Sequence, residues 1–280
     1  MDRWFAGKRW SIGRALIYSV LISASIFVLL PFAWMLSASL KPETEVFSYP
    51  IRWIPARPRW ANYIEIWRQI NFLTYYLNTI KLTATLTILQ LLTSSLAAYA
   101  FAKIRFPERN ALFLVYIGTI AVPYQVIMIP QFILMKNLGL HDSLWALILI
   151  QAFTPFGVFL LRQFYLTIPD ELLESARIDG LGEFGIYHRI VLPLSKPALA
   201  TLAIFTFVFV WNDFLGPLIY LTSDGNKTIQ LGIRKFITQY STEYSLIMAA
   251  SVCALVPVVA AFLLMQRFFI AGIATTALKE

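Results

Sequence analysis

Few side chains in this sequence have types and spacings that could do chemistry. Gly180, Gly182 and Gly185 spell G-x-G-x-x-G. That pattern cradles a pyrophosphate when a strand precedes it and an acid follows about 20 residues later. Here an acidic, helix-competent stretch precedes the glycines and apolar sequence follows, so no nucleotide site is expected. A G-x-x-x-x-G-K-S/T phosphate loop is missing, which excludes ATP hydrolysis by that route. His141 and His188 are the only histidines and Cys253 is the only cysteine. A histidine-rich metal site and an internal disulfide are therefore excluded. With no nucleophile–base–acid set, the chain is expected to be neither an enzyme nor a holder of a metal or cofactor. Two polar islands in apolar surroundings remain, one around Asp213 and one at residues 168–197.

Asn212 and Asp213 lie near the middle of an apolar run at 199–221. An uncompensated acid at such a depth costs about 2.5–3.5 kcal/mol on insertion scales, so it faces a protein interior or a watery cavity. Gly216 and Pro217 follow, and Pro217 lacks a backbone donor, which predicts a helix break there with freed carbonyl acceptors. Trp211 and Phe214 could offer ring faces. Two readings stay open. Trp211, Asn212, Asp213 and Phe214 line the path of a hydroxyl-rich solute, or Asn212 and Asp213 bond to a neighbouring helix or partner and hold a bundle together.

Residues 168–197 read IPDELLESARIDGLGEFGIYHRIVLPLSKP. Thr167 and Asp170 form a capping-box-like pair, and Pro169 suits a first helical turn. Asp170 and Glu171 complement the positive end of the helix dipole. Leu172, Leu173 and Ala176 share one face at helical spacing. Gly180 suits a left-handed residue just past the helix end. A second short helix starts near Glu183, with Phe184, Tyr187 and Val191 on one stripe, and Pro193 and Pro197 end it. A helix–turn–helix with an exposed apolar stripe needs a partner, either the rest of the chain or another protein.

The elements that must position these islands follow from composition. The chain has 280 residues, of which 59% are hydrophobic and only 14% charged, less charge than a soluble domain of this length carries. Its mean hydropathy is +0.68. Apolar runs of about 18 residues or more predict membrane-spanning helices. Six are read at 16–36, 72–101, 111–133, 144–165, 199–221 and 246–270. Pro123 and Pro130 break the third, and Pro155 lies inside the fourth. The net charge of +8 is spread over the ends of these runs, which fits a bilayer and no nucleic acid. Arg3, Lys8, Arg9 and Arg14 before the first run, with Lys103, Arg105 and Arg109 after the second, put both termini and residues 168–197 in the cytoplasm. Trp53, Trp60 and Trp67 punctuate the first outer segment, as interfacial anchors or as a contact for an external protein. A short amphipathic helix is expected near residues 229–240.

Within 168–197, Glu174-Ser175-Ala176, three residues, Gly180, nine residues and Ile190-x-Leu192-Pro193 fall at fixed spacings. That pattern resembles the coupling loop of permease subunits in bacterial ATP-binding-cassette importers. Asn78-Thr79, Ala97 to Phe101, Phe106, Ile129-Pro130, Leu138-Gly139-Leu140, Trp211 to Phe214 and Gly272 to Thr275 resemble the maltose-type carbohydrate branch. Ser175 replaces the usual first Ala, and Gly216 stands where a bulky residue is common. The resemblance implies an all-α polytopic membrane protein, with six transmembrane helices and a cytoplasmic helix–turn–helix coupling loop at 168–197, spanning 1–280 as one transmembrane domain. It implies that Leu172, Leu173, Glu174, Ala176, Asp179, Gly180, Ile190 and Pro193 meet an ATPase. It further implies a second, homologous permease subunit, two ATPase subunits, an extracytoplasmic solute-binding protein and a sugar or oligosaccharide substrate, with glycerol phosphates or other polar solutes as the alternative. A secondary transporter or a non-transport membrane protein would need another explanation for that loop.

Overall fold

The computed structural model describes residues 12–238 and 241–277, and side chains within 13–238 and 241–266. The basic flank at Arg3, Lys8 and Arg9, the Gly272 to Thr275 side chains and the tail at Lys279 lie outside the described residues. Among the described residues everything regular is helical, apart from a lone antiparallel bridge between Ile237 and Thr242. The expectation of an all-α chain rich in apolar helices therefore holds.

The chain divides into two compact units. The first comprises 1–69 and 236–253. Helix α1 (Ile12–Ser39) passes through Pro31 without ending, and its apolar residues from Leu16 to Leu30 are exposed. Such a surface suits lipid, which needs no polar partner. Short helices α2 (Glu43–Val46) and α3 (Ala61–Gln69) follow. Asn62 is fully buried and donates to Ser39 O and Lys41 O, both at 2.9 Å, which closes the turn after α1. Glu43 accepts from the backbone N–H groups of Tyr244 (3.0 Å) and Ser245 (2.8 Å), where the last helix begins. A carboxylate at that helix end satisfies orphan donors and complements the dipole.

The second unit comprises 70–235 and 254–280. Its axis is α4 (Phe72–Lys103), which spans about 48 Å at 1.5 Å per residue. Thr79, Thr83, Gln90 and Ser94 are all buried and recur along one stripe of α4. The next crossing is broken. Helix α5 (Arg109–Gly118) and the turn to Ala121 meet α6 (Tyr124–Asn137) at 97°. Pro123 causes the break: it holds the preceding Val122 extended (ψ 114°) and cannot continue the hydrogen-bond ladder. Pro130 lies inside α6 without ending it, so the expectation of two breaks is corrected to one. Helices α7 (Leu144–Gln151) and α8 (Pro155–Leu166) meet at 40°, with Thr154 capping α8 and Pro155 opening it. Gly157 lets α8 approach α4 closely: a Cβ there would lie 2.5 Å from Ser94 Oγ.

Then come α9 (Asp170–Ile178), α10 (Glu183–Ile186), a π-helical turn at Tyr187–Val191 and α11 (Leu192–Leu194). After a 77° bend, α12 (Lys196–Trp211) leads to α13 (Leu215–Tyr220) and α14 (Ile229–Arg234). Helix α14 is the core of the amphipathic helix expected at 229–240. It stops at Arg234, and residues 239 and 240 lie outside the described set. Helix α15 (Tyr244–Ala277) runs unbroken past Pro257. Among the described residues three helices are long and apolar enough to cross a membrane alone, and bent pairs, each taken as one span, raise the number to as many as six.

Candidate functional site

Residues 168–197 are built as a braced corner. Leu173 and Ala176 point inward and are 1% and 4% exposed, packed with Ala98, Tyr165, Ile186, Tyr187 and Val191. Helix α9 ends in a Schellman motif. The N–H of Gly180 bonds Arg177 O and the N–H of Leu181 bonds Ala176 O, both at 3.0 Å. Asp179 is the cap residue and Gly180 sits at φ +84°, as its position in the sequence predicts. Glu183 then ties the two short helices to α4: Arg177 Nε donates to Oε1 at 2.8 Å and Tyr99 Oη to Oε2 at 2.6 Å. These two bonds, Arg177 first, hold the Glu183 carboxyl below its usual range. Ser95 and Tyr187 share a buried hydroxyl–hydroxyl bond of 2.7 Å. Lys103 Nζ closes the base, donating to Ile168 O (2.7 Å) and to Asp170 Oδ1 (2.6 Å), and lowers the Asp170 pKa.

Several expectations need correction. The capping box does not form. Thr167 ends α8, and its hydroxyl donates back to Phe164 O at 2.8 Å, so Lys103 organises the start of α9 instead. Leu172, Leu173 and Ala176 do not make one exposed stripe. Leu172 is 42% exposed while its two companions are buried. The stripe Phe184, Tyr187, Val191 splits likewise, because Phe184 is 73% exposed and the other two are core. Pro193 does not end the second helix but lies within the helical run at α11. The π-helical turn before it widens the backbone, which accommodates a ring that would clash with the carbonyl four residues back. The chain turns at Ser195, and Pro197 opens α12. Ile190 is half-buried, whereas Glu174, Asp179 and Pro193 are exposed. Besides Leu172, the outward apolar residues are Ile178, Phe184 and Leu194.

The Asp213 island is also rebuilt by the structure. The helix breaks at Asn212 to Phe214, before Gly216-Pro217, and Pro217 is buried inside α13. Asp213 caps the new helix, its Oδ1 accepting from Gly216 N at 3.1 Å. Gln151 Nε2 donates to its Oδ2 at 3.0 Å. The break between α7 and α8 is served from α4. Gln90 Nε2 donates to Gln151 O (2.7 Å), Thr93 Oγ1 donates to Ala152 O (2.9 Å), and Gln90 Oε1 accepts from Thr206 (2.8 Å). Carbonyls freed at breaks inside a bilayer need such partners. Trp211 is not a free ring face. It is 1% exposed, stacked on Phe207 at 5.6 Å, and donates to Ala254 O at 3.0 Å. Asn212 and Phe214 remain exposed, and Asp213 is half-buried.

Gln90, Thr93, Ser95, Tyr99 and Lys103 were not singled out from the sequence as site residues. Their signal was available: a line of polar side chains at helical spacing inside an apolar span. A third polar cluster joins α4 to the 222–235 loop. Asn71 and Tyr75 donate to Asp224 Oδ2 at 2.8 and 2.7 Å, and Lys235 pairs with Oδ1. Lys235, Tyr75 and Asn71 hold the Asp224 carboxyl far below its usual range. Among the described residues no group of three or more His, Cys, Asp or Glu could hold a metal ion.

The family model for the binding-protein-dependent transport system inner membrane component matches residues 90–274. The chain is 36% identical over 252 residues to the arabinooligosaccharides transport system permease protein AraQ of Halalkalibacterium halodurans, covering 89% of this chain and 90% of that protein. It is 36% identical over 263 residues to the sn-glycerol-3-phosphate transport system permease protein UgpE of Yersinia enterocolitica, covering 91% of this chain and 93% of the relative. Its fold matches a crystal structure of a bacterial ABC transporter involved in the import of the acidic polysaccharide alginate. The TM-score there is 0.81 at 23% identity, over 94% of this chain and all of the other.

Proposed function

This chain belongs to the family of binding-protein-dependent transport system inner membrane components, and on that footing we propose that it is one of two permease subunits forming the solute path of an ATP-driven importer. Residues 1–280 act as one transmembrane domain, with both termini and residues 168–197 in the cytoplasm. The solute is a sugar or oligosaccharide, a reading supported by the name of the arabinooligosaccharide relative. A glycerol phosphate is the second reading, favoured by the equal identity to the glycerol-phosphate permease. An external solute-binding protein delivers it. ATP is hydrolysed by two partner subunits, since this chain has no phosphate loop of its own.

The observation that carries this reading is the braced corner at 168–197. Leu173, Ala176, Tyr187 and Val191 anchor it inward, while Leu172, Ile178 and Phe184 are left outside. A rigid corner with exposed apolar side chains suits transmission of motion from an ATPase, and Gly180 sets its angle. Leu173 and Ala176 serve by positioning the corner, Glu174, Asp179 and Leu172 by contact, and Ile190 and Pro193 by holding the return helix. In the span, Asn212 and Phe214 face outward for the solute, and Asp213 holds the break open. Trp211 supports them from beneath. The test is ATP-dependent uptake, measured over a panel of sugars and glycerol phosphates in membranes carrying the co-expressed subunits. Uptake that persists without ATP would contradict the reading.

A further inference from the structure

A cleft of about 850 Å³ opens beside α9, lined by the end of α4, the 104–109 turn and residues 166–177. Four cations line it, Lys103, Arg105, Arg109 and Arg177. Two are spent: Lys103 on Asp170, and Arg177 on Glu183. Arg105 is exposed and makes no hydrogen bond or ion pair among the described residues; its charge acts on Asp170. Arg109 uses only Nη1, on Ile104 O at 3.2 Å and Ala102 O at 3.5 Å. Its charge is felt by Arg162, whose guanidinium lies 4.1 Å from the centre of the Phe113 ring. Arg105 and Arg109 therefore keep donors to spare in the cleft, where Asp170 and Glu183 are already paired and Glu174 is exposed.

The depth of this place matters. Helix α4 is about 48 Å long against a hydrocarbon core of about 30 Å, so its last turns reach the headgroups. One turn beyond Arg109, α5 presents Leu112, Leu114 and Val115 at 52%, 68% and 71% exposure. A cationic mouth next to bare apolar helix surface is complementary to one molecule with an anionic head and acyl tails. Basic pockets at helix ends near a leaflet bind such heads.

We propose that Arg105 and Arg109 bind the phosphate of an anionic phospholipid whose tails lie along α5. The site would fasten a bilayer lipid against the base of the braced corner. It does not depend on which leaflet holds that corner, so it can fail while the transport reading stands. The experiment uses the full-length chain purified with its co-expressed subunits, with phosphatidylglycerol as the probe. Native mass spectrometry counts retained lipid after exchange into phosphatidylcholine nanodiscs doped with phosphatidylglycerol. Wild type should retain phosphatidylglycerol in preference to phosphatidylcholine. Arg105→Gln should weaken retention roughly five-fold, the equivalent of about 1 kcal/mol per surface cation, and Arg105→Lys should preserve it. Val115→Asn, which leaves every cation in place, should also lower it. Soluble glycerol phosphate should not displace the lipid. Displacement would assign the site to a free anion and overturn the lipid proposal. Equal retention of both lipids, or unchanged retention in Arg105→Gln, would overturn it as well.

Discussion

Tyr99 donates a 2.6 Å hydrogen bond to Glu183, so the longest helix of the second unit grips the first residue of α10 directly. Arg177, on α9, holds the other oxygen of the same carboxylate. One side chain thereby joins three helices. The angle between the two short helices is set by Gly180 and locked by Glu183.

The lock predicts an acid response. The Glu183 and Asp170 carboxyls titrate below their ordinary values because Arg177 and Lys103 bond their charged forms. Their contribution is therefore fully present above the unfolded values, about pH 4.3 and 3.9. It is lost as pH falls through the lowered folded values. Hydrogen exchange across residues 170–190 should stay slow at neutral pH and accelerate only in acid. Glu183→Gln should show the faster exchange already at neutral pH. A slow neutral rate in that variant would mean that Glu183 does not lock the corner.

Gly180 predicts a purely conformational penalty. A Cβ at this position meets nothing within 4 Å, so only the φ of +84° resists substitution. Gly180→Val should cost about 1–3 kcal/mol locally. Gly180→Asn, which tolerates the left-handed region better, should cost less. Transport should rank wild type, Asn, Val, while membrane insertion is unchanged. Full transport in the Val variant would deny the corner a part in coupling.

How legible was this in the sequence? The apolar runs, the left-handed Gly180 and the two-helix corner could be read directly, because periodicity and glycine chemistry are local. The inward and outward halves of the corner could not, because Leu172 and Leu173 are neighbours of equal hydrophobicity and only packing separates them. The exact position of the break at Asn212 to Phe214 is not legible in the sequence either. Proline chemistry points to Pro217, whereas Asp213 caps the next helix locally through Gly216 N and is held there by Gln151, a contact made across the chain. Pro193 misled because a π-helical turn absorbs it.

Asp213 separates scaffold from path. Asp213→Ala leaves the Gly216 N–H and the Gln151 amide without their acceptor, at about 1–3 kcal/mol for each buried group. Yield of the assembled protein should fall. In Asp213→Asn, Gln151 can rotate its amide to accept rather than donate, so assembly should survive. If Asp213 also borders the solute, Asp213→Asn and Asn212→Ala should change sugar preference at normal yield. Unchanged preference in both would leave Asp213 a helix cap alone.

Sidedness is open to labelling. In a Cys253→Ser background, exposed Glu174→Cys should resist an impermeant thiol reagent in intact cells, and Gly225→Cys should react. Gly225 has open space around its Cβ position, so the variant should fold normally. The opposite labelling pattern would invert the topology.

Coupling to an ATPase is measured most directly by co-purifying the tagged full-length chain with ATPase subunits, as wild type and as Phe184→Ser. Phe184 is 73% exposed, so its loss leaves the core of the corner intact. Wild type should retain ATPase subunits, and Phe184→Ser should lose most of them while inserting normally. Absence of any ATPase from the wild-type preparation, with solute uptake continuing when ATP is depleted, would contradict a role as an ATP-driven permease.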